Sequence, residues 1–193
     1  MERRPDRFPV ILDANVLVGA LARNILLSLA EDGTFRPRWS AKILEEMDRA
    51  LERRGKQRPY LDKLKSQMER AFPEAFVEEW EVYEAACAEM PDPDDRHVLA
   101  AVIKCDAAVI VTENLKHFPQ KLLARFAIEP IATDEFIADL IDLNQADAVL
   151  SIRRMLHGFN SPTMTPEALV ERMNHVGLTA SASLLAASPG FMR

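Results

Sequence analysis

Phe8-Pro9-Val10-Ile11-Leu12-Asp13-Ala14-Asn15 is the stretch on which the fold turns. Its first five residues are apolar without interruption and lack the alternation of a half-exposed strand. Such a run predicts a strand buried on both faces, as in a parallel sheet covered by helices. Asp13 follows at once, and Val16–Leu29 continues with the composition of a helix. In open α/β sheets, sites form in the crevice beyond the carboxyl ends of the strands. Asp13 stands at such an end. It also suits the N-cap of the following helix, so its position alone does not choose between the two roles.

The pattern repeats outward. Asp32-Gly33 breaks the first helix, and Thr34–Trp39 reads as a second short strand. Ser40 is a good N-cap and Gly55 a good stop for a helix whose buried stripe is Ile43, Leu44, Met47 and Leu51. Residues 60–89 predict two further helices around Pro73. A break at 90–95 precedes a helix over Arg96–Cys105, a strong strand over Ala107–Val111, a short helix over Leu115–Phe126 and a last strand over Ile128–Ala132. Strands separated by helical crossovers imply a parallel sheet.

From Thr133 onward the chain is helical in character. Thr133 or Asp134 is expected to cap one helix, and Asn144–Met155 continues or restarts it. Asn160-Ser161-Pro162 reads as a loop, Thr165 and Pro166 start another helix, Gly177 interrupts it and Ser188-Pro189-Gly190 ends it. The expected organisation is an α/β domain over residues 1–136 with a helical C-terminal extension over 137–193. In that extension, Phe136, Ile137, Leu140, Ile141, Leu143, Val149 and Leu150 are read as packing on the domain. Leu169, Met173, Val176, Leu178, Leu184 and Leu185 suit either packing or a surface for a partner or a second copy, as in a homodimer.

The 193 residues are 48% apolar and 28% charged, an ordinary globular balance. Met1–Pro9 is charged and has no apolar signal region, and no later stretch approaches the roughly 20 apolar residues of a membrane span. The expectation is a cytoplasmic protein without membrane contact. Cys87 and Cys105 form no CxxC pattern and are read as buried reduced thiols. The net charge of −6 is unevenly spread: residues 36–70 carry 11 basic and 6 acidic side chains, whereas 71–193 carry 9 and 19. A basic surface beside an acidic site suits a polyanion, although a solvated helical face explains the same charges.

Acidic residues recur at the turns. On the helix after Ser40, Glu46 lies about 110° from the centre of the apolar stripe and Glu45 about 150°, so Glu46 is the one able to reach a crevice. Its alternative is a salt bridge to Arg49 or Arg53. Asp92-Pro93-Asp94-Asp95 is a good helix start in its own right. Asp95 nevertheless shares a stripe with Val98, Leu99 and Val102 and should point inward, where an unpartnered carboxylate is costly. Asp92 is within reach of the same place, and Asp94 is the least suited of the three. Thr112 and Asn114 follow the strand Ala107–Val111 as Asp13 follows the first strand. Carboxylates gathered in one place repel unless a divalent cation neutralises them. All these donors are oxygen, with no Cys or His at ligand spacing, which favours Mg²⁺ or Mn²⁺ over Zn²⁺. Such a site suits phosphodiester hydrolysis. The histidines His97, His117, His157 and His175 are dispersed and read as surface or capping groups, although His117, three residues after Asn114, is placed to touch a substrate. There is no HExxH, no GxSxG, no P-loop and no dinucleotide fingerprint.

Four segments in order, Leu12-Asp13-Ala14-Asn15-Val16-Leu17, Leu44-Glu45-Glu46-Met47, Asp92-Pro93-Asp94-Asp95-Arg96 and Val111-Thr112-Glu113-Asn114-Leu115-Lys116-His117-Phe118, resemble the PIN-domain nucleases over about residues 8–136. The resemblance implies a Rossmann-like three-layer α/β/α fold with a central parallel sheet. It implies Mg²⁺- or Mn²⁺-dependent endoribonuclease activity on RNA, with Asp13, Glu46 and Asp95 as metal ligands and Asp92 as an additional acid. It also implies that Thr112 and Asn114 orient a ligand or its water. Asn114 stands where many members carry Asp, which weakens the case for a second ion. Residues 137–193 resemble the helical extension of larger VapC-type toxins of type II toxin–antitoxin pairs, which implies a cognate antitoxin as partner. Two other readings remain at this point. One is a non-catalytic module that binds RNA or protein through an incomplete metal site; the other is a nuclease acting on DNA.

Overall fold

A computed structural model describes residues 8–158 and 164–192. The expected loop at Asn160-Ser161-Pro162 and the charged segment before Phe8 lie outside the described residues. The chain divides into two compact units. One holds the described residues up to Gly19 together with Phe35–Ile131, and the other holds Ala20–Thr34 with the residues from Ala132 onward.

In chain order the elements are β1 (Pro9–Leu12), α1 (Ala14–Val18), α2 (Ala20–Glu31), β2 (Arg36–Arg38), α3 (Ala41–Arg53), α4 (Arg58–Ala71) and α5 (Arg96–Cys105). They continue with β3 (Val109–Val111), α6 (Gln120–Leu123), β4 (Glu129–Ile131), α7 (Thr133–Leu143), α8 (Gln145–His157), α9 (Pro166–His175) and α10 (Thr179–Ala187). Short 3-10 helices occupy Trp80–Cys87, Pro93–Asp95, Leu115–His117 and Ala124–Phe126.

In the first unit the four strands form one parallel sheet in the order β2-β1-β3-β4. Val10, Ile11 and Leu12 are fully buried, as their unbroken apolarity requires. α5 packs on β1 and on the 3-10 helix Trp80–Cys87, and α3 packs on α1 and α4. β1 leads to β2 on one side, while its other neighbour, β3, arrives from a later crossover. The chain therefore changes direction between β1 and β3, the place where open α/β sheets leave a crevice at their carboxyl ends. The register pairs Leu12 with Val111, so Asp13 and Thr112 emerge side by side.

α3 starts where expected, with the Ser40 hydroxyl accepting the Ile43 N–H at 3.3 Å. Gly55 follows it at φ +81, a left-handed conformation that glycine adopts without a Cβ penalty. On the inner side of α3, Asp48 is buried and accepts from Lys65 at 2.6 Å and Arg58 at 3.0 Å, which ties α3 to α4. Cys87 is buried, and burial pushes its thiol up to about 11, so it stays protonated at neutral pH; Cys105 is half-buried.

Several expected elements differ. The helix predicted over Val16–Leu29 breaks at Gly19, whose extended ψ of 98° ends α1. The second helix expected within 60–89 is a 3-10 helix. The helix expected over Leu115–Phe126 is split, because Pro119 cannot donate into a helical ladder, is itself extended and keeps Phe118 out of the helical region at φ −114, ψ 71.

In the second unit, α2 packs against α7 and α8, and α10 against α7 and α9. The Ser151 hydroxyl donates to the Ser28 carbonyl at 2.8 Å. Neither Thr133 nor Asp134 caps α7, whose N-cap is Ala132. Asp134 instead caps α10, accepting from the Ala180 and Ser181 N–H groups at 2.8 and 2.9 Å. Leu169, Met173, Leu178 and Leu185 are buried within this unit, whereas Val176, Leu143 and Leu150 are exposed. Among the described residues, no helix is long and apolar enough to cross a membrane.

Candidate functional site

Asp13 ends β1 and begins α1, 4% exposed. Its carboxylate accepts the Ala14 N–H at 2.6 Å, the Thr112 hydroxyl at 2.7 Å and the Asn15 side-chain amide at 2.6 Å. Thr112 in turn accepts from the Asn15 amide and from the Asn114 N–H, both at 3.1 Å. The Asn15 side-chain Oδ1 closes the network by accepting the Glu113 N–H at 3.1 Å. The ends of β1 and β3 are thus stitched by side chains as well as by the ladder. Thr112 is fully buried behind Asp13, where it holds the carboxylate in place.

Glu46 comes from the middle of α3 and is half-buried, whereas Glu45 faces solvent. Its Oε1 lies 3.0 Å from His97 Nε2 and 3.7 Å from Arg49. Asp95 closes the 3-10 turn before α5, and its Oδ2 lies 2.7 Å from His117 Nδ1. Asp92 caps that turn through the Asp94 N–H at 2.9 Å and lies 3.5 Å from the same His117 nitrogen.

Asp13, Glu46, Asp92, Asp95, Asn114 and His117 line one open cleft of about 350 Å³. Asn15, Arg49, Arg53 and the exposed Asp94 also line it, with Ala14, Val18 and Ala50 as its apolar part. Burial raises the pKa of Asp13, opposed by Thr112 and the Ala14 N–H and reinforced by Asp95 and Glu46. Burial likewise raises Asp95, opposed by His117 and reinforced by Asp92 and Glu46. Carboxylates whose neighbours push them toward protonation favour a bound cation. Among the described residues, the set of three whose donor atoms all lie within 4.8 Å of one another is Asp92, Asp95 and His117.

Residues 9–116 match the PIN domain. The chain belongs to the PIN-domain family. Residues 133–187 match the VapC50 C-terminal domain, so the chain has the VapC-type order of a PIN domain followed by a helical extension. A relative from Mycobacterium tuberculosis (strain ATCC 25618 / H37Rv), described as "Putative ribonuclease VapC50", is 39% identical over 79 residues, which is 41% of this chain and 47% of that protein. The chain thus spans about half the length of the curated relative it matches. No solved structure matches the chain.

One cleft is lined by every acidic residue expected from the sequence, with Thr112 behind Asp13 and Asn114 on the wall, but among the described residues the close donor set takes in Asp95 without Asp13 or Glu46. Two readings of histidine need correction. His97 is neither a surface nor a capping group: it is 3% exposed and bonded to Glu46. His117 places a nitrogen against Asp95, so the donor set is not oxygen alone. Its three-residue offset from Asn114 was the available signal; nothing near His97 in the sequence pointed to Glu46, 51 positions away. Asn15, two residues after Asp13, stands outside the expected set yet bonds both Asp13 and Thr112. The basic segment also divides: Arg58 and Lys65 are committed to Asp48, while Arg49 and Arg53 reach the cleft.

Proposed function

We propose that this chain is a metal-dependent endoribonuclease that hydrolyses RNA phosphodiester bonds, acting as the toxin of a type II toxin–antitoxin pair. One observation carries the reading. The carboxyl end of β1, the middle of α3 and the turn before α5 deliver Asp13, Glu46, Asp92 and Asp95 to one cleft, where burial and neighbouring carboxylates raise Asp13 and Asp95. Asp13, Glu46 and Asp95 are the proposed ligands, with Asp92 and His117 beside Asp95. Hard carboxylate donors fit Mg²⁺ or Mn²⁺, and His117 beside them is a softer donor than Mg²⁺ prefers.

When bound, such a cation polarises a phosphodiester and acidifies a water. Thr112 and Asn15 hold the Asp13 carboxylate so that it does not turn away from the cleft. Asn114 presents an amide at the rim, able to accept from or donate to a water or a phosphate. Arg49 and Arg53 offer their guanidinium groups to the RNA backbone. The VapC-type order of domains supports the toxin role, the relative described as a putative ribonuclease supports the activity, and the proposed partner is an antitoxin protein made with it in the cytoplasm.

The test is cleavage of a fluorogenic RNA, with a DNA strand of the same sequence in parallel, at increasing Mn²⁺ or Mg²⁺. Metal-dependent cleavage of RNA and not DNA is expected. Cleavage undiminished by chelator defeats the proposal. Asn114 favours one competing reading, a PIN module that binds RNA without cutting it. RNA binding with no Mn²⁺ uptake at millimolar concentration, read by calorimetry, selects that alternative.

A further inference from the structure

His97 is the second residue of α5 and is buried to within 3% of its surface. Its Nε2 lies 3.0 Å from Glu46 Oε1. Its Nδ1 is also buried and, among the described residues, has no hydrogen-bond partner. The ring of Trp80 lies against it, with centroids 5.8 Å apart and planes tilted by 60°. The following residues Val98–Val102 are all buried, so the imidazole has little room to turn.

These contacts define which nitrogen carries the proton. A carboxylate only accepts, so Nε2 must donate. A second proton on Nδ1 would be a buried donor without an acceptor, which is disfavoured. These contacts therefore favour the Nε2–H tautomer over the Nδ1–H tautomer. Glu46 needs such a partner because its side chain is long and Arg49, at the exposed rim, lies 3.7 Å from the same oxygen. Among the described residues, the contacts of Glu46 with His97 and Arg49 both fall on Oε1, which leaves Oε2 for the cleft.

We propose that His97 is a positioning residue: by donating from Nε2, braced by Trp80, it holds Glu46 Oε1 at the back of the cleft, keeps the carboxylate from swinging out to Arg49 and points Oε2 at the metal position. The proposal rests on the metal-centre reading above. Donors that orient a ligand from behind typically change metal affinity by about 10–100-fold when lost.

The experiment compares the full-length parent with His97→Phe, which keeps a ring against Trp80 but has no donor, and His97→Gln, whose amide can supply one. Mn²⁺ affinity is read from the free-ion electron paramagnetic resonance signal. The tautomer of His97 is read by long-range ¹H–¹⁵N NMR on the metal-free parent. Expected are an Nε2–H tautomer, Mn²⁺ binding weakened about tenfold or more in His97→Phe, and affinity near the parent's in His97→Gln. Saturating Mn²⁺ should then recover most of the RNA cleavage of His97→Phe, which loss of fold would not allow. A folded His97→Phe with parental Mn²⁺ affinity overturns the proposal, as does an Nδ1–H tautomer. If His97→Phe does not fold, His97→Gln and the tautomer decide: parental affinity with Nε2–H supports the proposal, and weakened affinity defeats it. A parent that binds no Mn²⁺ sinks the metal-centre reading itself, an outcome separate from parental binding that His97→Phe leaves unchanged.

Discussion

Asp13 in the first unit and Asp134 in the second both accept backbone N–H groups at the start of a helix, yet their environments push them in opposite directions. Burial works upward on both. At Asp134 it is outweighed by the Ser181 hydroxyl and N–H and by the N–H groups of Ala180 and Thr179, so the pKa falls. At Asp13 it outweighs Thr112 and Ala14 and is joined by Asp95 and Glu46, so the pKa rises. Asp134 has its negative charge answered by the helix it caps; Asp13 shares a cleft with other carboxylates. Unresolved repulsion among carboxylates distinguishes a candidate functional group from a structural one.

The largest expected effect tests this contrast directly. Asp13→Asn and Asp95→Asn should each lower Mn²⁺-dependent RNA cleavage by more than about a hundredfold, beyond the loss typical of groups behind a ligand. Asp134→Asn should leave the rate per folded molecule unchanged. Parental cleavage by Asp13→Asn would erase the distinction. In the absence of divalent ions, thermal melts should show Asp13→Asn at least as stable as the parent, since it removes a charge that burial disfavours.

Next comes Asp48, a carboxylate on the opposite side of α3 from the cleft, buried but paired. Lys65→Ala leaves it with Arg58 alone and should cost about 2 kcal/mol, below the full cost of opening a fully buried pair because Lys65 is partly exposed. Urea unfolding measures this, and cleavage at saturating metal should persist. Asp134→Ala removes the cap of α10 and should cost about 1 kcal/mol. A change below the error of the melt would mean the cap adds nothing.

The smallest effect is the pH response. Asp13 and Asp95 have raised folded pKa values, so between the ordinary carboxylate value and the raised one the native state binds more protons than the unfolded chain. Their contribution to stability is fully present below the unfolded value and is lost as pH rises through the folded one. Asp134 works in reverse: its contribution is present above the unfolded value and is lost as pH falls through the lowered one. Without divalent ions, melting temperature should therefore fall more in the parent than in Asp13→Asn as pH rises from about 4, the ordinary carboxylate value, toward 7. Saturating Mn²⁺ should remove that difference, and identical slopes in the two proteins would contradict the assignment.

Much of the frame was legible along the chain. The apolar run Val10–Leu12, the Ser40 cap, the start of α5 at Arg96 and the Thr165–Pro166 helix start rest on interactions within a few residues, so composition exposes them. Glu46 was separable from Glu45 because helical periodicity is itself local. Gly19, Pro119 and Asp134 were harder. Whether a glycine breaks a helix, or a carboxylate caps its own helix or a distant one, depends on what packs nearby.

What the sequence alone determined is the order of parallel strands and helices and the presence of carboxylates at their carboxyl ends, because backbone geometry and side-chain period act over a turn or a strand. Only the tertiary structure decided that α2, adjacent in sequence to β1 and α1, packs with the C-terminal helices. It alone decided that His97 reaches Glu46 across 51 positions and that His117 meets Asp95 across 22. Those pairings are chosen by burial and by competition for hydrogen-bond partners among residues far apart along the chain, and no local pattern encodes which partner wins.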